Sequence, residues 1–279
     1  MKASTRLLRP YGLQLRQYAW RAIVGRLDPP AYEFYARMLA AGYDPSATID
    51  VLPEHRIIYV CVPKSASSRV KICLSNLLGL QVTTYEAAHR RKLSGLKAPH
   101  HVGLSSFYRL AMDANTLRFS FVRNPYARLV SCWADKYRDR SLVPGDPFID
   151  QYLAWRNETD PQLPAGAGQT LSFADFVMFA SATASDCINT HWQVQQQIVD
   201  GPGLQLDFVG KVETFDRDFN RVYDHVGIEQ SLHGKIHERV RPTAHRPWQD
   251  YYTPELAASV YRAYERDFDR FGYARALPT

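Results

Sequence analysis

The sequence predicts an α/β fold with a central, mainly parallel sheet flanked by helices, and three observations predict it. Residues 56–79 and 118–137 each read as a buried strand, a short polar turn and an amphipathic helix. Both strand segments are apolar and rich in β-branched or aromatic residues, the pattern of parallel strands covered on both faces. Strands and helices go on alternating to the C-terminus, with neither an internal repeat nor a break in composition.

The elements follow in order. Among the first 26 residues, Lys2, Arg6, Arg9, Arg16, Arg21 and Arg26 face no acid and mix with Leu7, Leu8, Leu13, Leu15, Trp20 and Ile23. This is a basic amphipathic helix interrupted by Pro10 and Gly12, suited either to packing on the main domain or to contact with a membrane surface. The expected division is a basic helical segment over 1–50 and a single domain over 51–279. Ala31 to Ala41 has helical spacing closed by Gly42, and a Pro-punctuated link leads to Pro53. Arg56–Val62 is a central strand, followed by a helix through Val70, Cys73, Leu74, Leu77 and Leu78 up to Gly79. Arg118–Val122 is the second strand, and its helix carries Tyr126, Leu129, Val130, Trp133 and Tyr137 on one stripe.

Residues 139–170 read as an irregular excursion around one short helical piece. Ser172 and Asp175 open another helix in the manner of a capping box. Leu206–Val212 is a third strand, with Thr214 as N-cap of a helix bearing Phe215, Phe219, Val222 and Val226. The last helix has Thr253 as N-cap, Pro254 at N1, a stripe of Leu256, Val260, Tyr264 and Phe268, and Gly272 beyond its end.

Composition and missing motifs exclude many classes. With 46% hydrophobic and 22% charged residues in 279, the chain is neither disordered nor low-complexity. Four cysteines without a C-x-x-C pair exclude a disulfide scaffold or zinc ribbon. Gly210-Lys211 and Gly234-Lys235 lack the Ser/Thr and upstream Gly of a Walker A loop, and the dinucleotide, zinc-protease, hydrolase-elbow and EF-hand patterns are absent. His233 and His237 are four apart but have no third ligand in register, so no metal is expected. The net charge of +6 favours anionic partners, and no nucleic-acid signature accompanies it, so no specific nucleic acid is expected.

Two turns carry anion chemistry. The first strand runs into Pro63-Lys64-Ser65-Ala66-Ser67-Ser68-Arg69 and then a helix, a phosphate cradle built without glycine. Helix N–H groups, three hydroxyls and the Lys64 charge converge there. At the second strand's end, Arg123-Asn124-Pro125 opens a helix carrying Arg128 and Ser131. Ligands of open α/β sheets bind at this carboxyl edge, so two such turns fit a ligand with two separate phosphates.

These residues carry a resemblance. VPKSASSRVK followed by FSFVRNPYARLVSCWADKY resembles the paired motifs of the carbohydrate sulfotransferases, particularly the chondroitin/HNK-1-type and uronyl 2-O-type enzymes. His191-Trp192-Gln193-Val194-Gln195 is similar to the family's HW-x-PQ, Gly210-Lys211-Val212-Glu213 to its GKYE, and Tyr252-Thr253-Pro254-Glu255 with Asp267-Phe268 and Phe271-Gly272-Tyr273 to its C-terminal helix. The match covers about residues 56–273, with Val70 in place of an aromatic residue and Val194 in place of proline.

The resemblance implies a P-loop NTPase-like three-layer fold and transfer of the sulfuryl group of 3′-phosphoadenosine 5′-phosphosulfate to a carbohydrate hydroxyl, without a metal, releasing adenosine 3′,5′-bisphosphate. By motif position, Lys64, Ser65, Ala66, Ser67, Ser68 and Arg69 hold the 5′-phosphosulfate, and Arg123 with Ser131 holds the 3′-phosphate. Lys64 neutralises the leaving phosphate. The attacking hydroxyl needs a base near neutral pH, which favours histidine. His101 and His100 lie where uronyl 2-O-type relatives place theirs, with His191 and Glu213 as the other candidates. A non-catalytic nucleotide or polyanion binder on the same fold, or an atypical kinase, is the alternative function. Animal relatives sit in the Golgi behind a membrane anchor. This sequence has no apolar stretch of that length, so a bacterial-type cytoplasmic enzyme, at most peripheral to a membrane, is expected.

Overall fold

The computed structural model describes residues 27–40, 43–160, 169–186, 189–201, 203–229 and 246–277. The basic segment up to Arg26, and His233, Lys235, His237, Arg239 and Arg241, lie outside them.

Helix α1 (Pro29–Ala40) leads to strand β1 (Ile49–Leu52), and a tight turn at Pro53–Arg56 returns the chain as β2 (Ile57–Val60). Then follow α2 (Ser67–Leu77), α3 (Leu104–Met112), β3 (Leu117–Val122), α4 (Pro125–Lys136), α5 (Pro147–Thr159) and α6 (Phe173–Ala182). Strand β4 (Phe208–Lys211), α7 (Phe215–His225) and α8 (Pro254–Phe271) complete the order. The sheet order is β1-β2-β3-β4, with β2, β3 and β4 parallel and β1 antiparallel at the edge.

The sheet sits between two helical layers, as expected. Ile57, Tyr59, Phe119, Phe121 and Phe208 pack against α2 and α7 on one face. Ile58, Val60 and Val122 pack on the other against Phe34 and Met38 of α1, Phe107 of α3, and Ile198. A third apolar cluster joins α4, α5, α6 and α8 around Trp192 without a strand residue. Gly210 lies so close to the sheet's interior that any Cβ there would come within 2.6 Å of the Phe121 ring.

Several local features differ from expectation. Strand β1 lies in the segment read as a link, because all four of its residues are buried and leave no alternation to read, and proline flanks it. The expected division at residue 50 falls inside this strand. The excursion at 139–170 holds not a short piece but the thirteen-residue α5, with Pro147 at N1 and Asp146 accepting from Phe148 N at 2.8 Å. Thr214 precedes α7, but its hydroxyl donates to Asp218 Oδ2 at 2.6 Å instead of capping the first turn. Ser172 and Thr253 do cap as expected, accepting from Asp175 N at 3.1 Å and Leu256 N at 3.3 Å.

Candidate active site

The first turn takes its shape from its own backbone. Lys64 (φ 67°) and Ala66 (φ 57°) both sit in the left-handed region with Ser65 between them. Left-handed residues at such a turn are the backbone setting of anion-binding nests, here leading straight into the first turn of α2. Ala66 is the N-cap of α2 without a side-chain bond, so the first-turn N–H groups are left for a ligand. Ser65 is fully buried, and its hydroxyl donates to Gln195 Oε1 at 3.0 Å. Its N–H donates to Val62 O at 3.3 Å within the turn. Ser68 Oγ lies 3.0 Å from His89 Nε2. Arg69 stacks 4.0 Å over the Phe215 ring and pairs with Asp216 at 2.5 Å, while its Nε is buried with no partner among the described residues.

Lys64 reaches across to α4. Its Nζ lies 2.9 Å from Asp135 Oδ2, and Lys136 shares the same oxygen at 3.0 Å. Burial alone would raise the Asp135 carboxyl, but Lys64 and Lys136 bring it below the usual range. One carboxylate oxygen thus bridges the two ammonium groups.

The second turn is held by other segments. Asn124 caps α4 through Tyr126 N at 3.0 Å, and Asn124 N donates to Glu213 Oε1 at 2.9 Å. Arg123 N donates to Gln195 Oε1 at 3.0 Å, and the Arg123 guanidinium reaches Lys64 O at 3.4 Å. Gln195 Nε2 completes the junction by donating to Arg123 O at 2.8 Å and to Asp267 Oδ2 at 3.2 Å. Asp267 is fully buried and also accepts from the backbone N–H groups of Gln195 and Gln196. Ser131 lies on the α4 face between Arg128 and Asp135, 6% exposed. Arg128 is not an anion ligand as its position suggested: it is buried, and it donates to the carbonyls of Pro63, Gln193 and Thr190.

The histidines divide into two groups. His100 and His101 are exposed on a short helix (Pro99–Val102) packed beside β1 at this sheet edge. His100 Nδ1 contacts Ser46 Oγ at 2.9 Å, and His101 Nδ1 accepts from Ala98 N at 3.3 Å. The charges acting on His100 are His101, Arg91 and Asp44, with Lys64 not among them. His191 and His89 instead stand in the field of Lys64. Burial, then Lys136, Lys64 and Arg128, drive His191 down to about 3. Burial, then Lys71, drive His89 down to about 4, with Lys136 and Lys64 adding to the effect.

Comparison with known proteins gives this arrangement a family. The profile of the Sulfotransferase family matches residues 47–274. The chain belongs to the sulfotransferase family. It is similar to carbohydrate sulfotransferase 12 of Mus musculus, 26% identical over 79% of this chain and 58% of that protein. Carbohydrate sulfotransferase 11 of Danio rerio is 26% identical over 79% of this chain and 65% of its own length. Carbohydrate sulfotransferase 9 of Homo sapiens is 27% identical over 81% and 53%. The chain therefore spans little more than half to just under two thirds of these relatives. No solved structure matches it significantly.

In this member of the family the Lys64 turn and the Arg123 turn are brought together, joined by Gln195. The sequence points to Gln195 and Asp267 as parts of motifs, and to Glu213 as part of a motif and as a candidate base. Glu213 accepts from Asn124 N and from Tyr273 Oη at 3.0 Å, which makes it a brace for the second turn. Val194, standing where relatives carry proline, has a φ of −50° within proline's own range, and its N–H donates to Ala184 O at 2.9 Å, a bond proline could not make.

Proposed function

We propose that this chain transfers the sulfuryl group of 3′-phosphoadenosine 5′-phosphosulfate to a hydroxyl of a carbohydrate or glycoconjugate. The observation that carries the reading is the pair of cationic turns clamped to one another through Gln195, in a member of the sulfotransferase family. The residues fit such a donor. The left-handed Lys64 and Ala66 aim backbone N–H groups at one anion, and Arg69 Nε is buried with an unused donor. Arg123, whose guanidinium reaches Lys64 O at 3.4 Å, and Ser131 on α4 are assigned to a second anion, the 3′-phosphate.

The donor, when bound, supplies an activated sulfuryl group with an adenosine bisphosphate leaving group. In this reading Lys64 exchanges Asp135 for the leaving phosphate, and Asp135 keeps Lys136 as partner. The N–H groups of the first turn stabilise the charge that develops on that phosphate as in an oxyanion hole. Among the described residues no group of three or more His, Cys, Asp or Glu could hold a metal ion, and no helix is long and apolar enough to cross a membrane. The cytoplasmic location belongs to the same proposal and is tested by fractionating cells that express the full chain.

Calorimetric titration with adenosine 3′,5′-bisphosphate, with ATP as control and with and without Mg²⁺, tests the reading. Metal-independent binding of the bisphosphate in preference to ATP is expected, followed by ³⁵S transfer to members of a glycan panel. Failure to bind, or Mg²⁺-dependent preference for ATP, would overturn it.

A further inference from the structure

We propose that His191 is the base that takes the proton of the acceptor hydroxyl, its Nε2 lone pair kept available by Asn189. The inference rests on the sulfotransferase reading and names a catalytic residue for it. The argument begins with the tautomer. Asn189 Oδ1 accepts the backbone N–H of His191 at 3.0 Å, and Asn189 Nδ2 donates to Gln151 Oε1 at 2.9 Å. The Asn189 amide is thereby oriented, and the oxygen that lies 2.8 Å from His191 Nδ1 is an acceptor only. Nδ1 must carry the hydrogen, so in the neutral ring Nε2 carries the lone pair.

The ring is also fixed in place. It stands edge-on to Phe148, with centroids 5.0 Å apart, and Lys136 Nζ lies 5.1 Å from the same Phe148 ring. Lys136 in turn shares Asp135 with Lys64. Arg128 straps the turn from the other side, donating at 2.7 Å to Thr190 O and at 3.0 Å to Pro63 O, the residue before Lys64. His191 is therefore tied to the first anion turn through two independent routes. Burial first, then Lys136, Lys64 and Arg128 against the single carboxylate of Asp135, keep the imidazole neutral. An anionic donor seated on Lys64 would offset that field and make Nε2 more basic, so the base gains strength when the donor is present.

The other histidines at this edge fit less well. His101 accepts at Nδ1 from Ala98 N, so its neutral ring carries the proton on Nε2. His89 has its Nε2 engaged with Ser68. In the step itself, the acceptor oxygen forms a bond to sulfur while the bond between sulfur and the bridging phosphate oxygen breaks. The electron pair leaves on the phosphate of adenosine 3′,5′-bisphosphate, and His191 Nε2 holds the hydroxyl proton until solvent takes it.

The test uses the full-length protein. His191→Asn keeps a donor in the Nδ1 position for Asn189 and removes Nε2, so a merely structural histidine would be rescued by it. Expected is a fall in kcat of ~10²–10⁴-fold, with binding of adenosine 3′,5′-bisphosphate and the melting temperature near those of the parent. Nitrogen NMR of histidine-labelled protein provides a readout without turnover and is expected to show His191 protonated at Nδ1. Retained kcat in His191→Asn, or an Nε2-protonated ring, would overturn the proposal, as would full turnover in His191→Asn beside lost turnover in His101→Asn. If the parent protein neither binds the bisphosphate nor transfers sulfate, the sulfotransferase reading fails first and this inference falls with it.

Discussion

The Lys64 turn and the Arg123 turn face the same sheet edge, yet they are held by different means. The first keeps its shape through its backbone, with two left-handed residues within three positions. The second keeps its shape through side chains from elsewhere in the chain: Gln195 and Asp267 on one side, Glu213 and Tyr273 on the other. The first turn carries part of its shape in its own dihedrals and meets Gln195 through one hydroxyl, that of Ser65, whereas the second depends on braces more than 70 residues away. Gln195 touches both, which makes it the point where the comparison can be broken.

The largest effect belongs to the first turn. Lys64→Met removes the ammonium but keeps most of the stem, and kcat should fall ~10²–10³-fold, as for loss of one oxyanion donor. Stability should change little, because Asp135 keeps Lys136 as partner. A sulfate-transfer assay beside thermal melting checks this, and unchanged kcat would remove Lys64 from the chemistry.

Gln195→Ala should act on both turns together. It leaves Ser65 Oγ and Arg123 N without the oxygen they share, in a buried setting, at a cost of about 3 kcal/mol read as a shift in the urea midpoint. Affinity for adenosine 5′-phosphosulfate, which reports on the first turn, and for adenosine 3′-monophosphate, which reports on the second, should both drop. Glu213→Gln should weaken only the second ligand. If Gln195→Ala weakened one ligand alone, the clamp would not couple the turns.

The two regions also meet in the pH dependence of stability. Burial, then Lys136, Lys64 and Arg128, drive the pKa of His191 in the fold down to about 3. A depressed folded pKa favours the neutral ring, so the stabilisation is fully present above the unfolded value near 6.5 and is lost as pH falls toward 3. Across that window His191 contributes a slope of up to about 1.4 kcal/mol per pH unit. Denaturant unfolding at pH 7 and pH 4.5 should show His191→Asn losing less stability on acidification than the parent does; equal losses would place the ring in solvent.

The difference between the turns also explains what could be read in advance. The strand–turn–helix units at Val60–Arg69 and Val122–Ser131 were legible because buried apolar runs, small residues and cations follow one another in the sequence. The last helix was legible for a similar reason, since Thr253, Pro254 and Gly272 mark its ends. Strand β1 was not, because a four-residue strand with Asp50 buried at its second position has no pattern of its own; Asp50 is tolerated there by Lys71 and Arg91, each at 3.1 Å. Nor could the sequence show that Arg128 binds carbonyls or that Glu213 braces a backbone N–H. Those roles depend on which segments fold against each other, and the partners lie between 62 and 89 residues away.

The smallest effect is the most direct probe of the backbone argument. Alanine in the left-handed region pays roughly 1 kcal/mol that glycine does not, because its Cβ crowds the neighbouring carbonyl. Glycine loses more backbone entropy on folding, by roughly 0.5–1 kcal/mol, which cancels part of that gain. Ala66→Gly should therefore leave stability unchanged or raise it by up to ~0.5 kcal/mol, since the native φ of 57° suits glycine. The same loop would be less firmly preset, so affinity for adenosine 5′-phosphosulfate should fall by a few-fold while adenosine 3′-monophosphate binds as before. Melting and titration of this one variant separate two origins of the cradle. Strained dihedrals give a stable protein with a looser first turn, and a conformation imposed by Gln195 alone gives no change in either ligand.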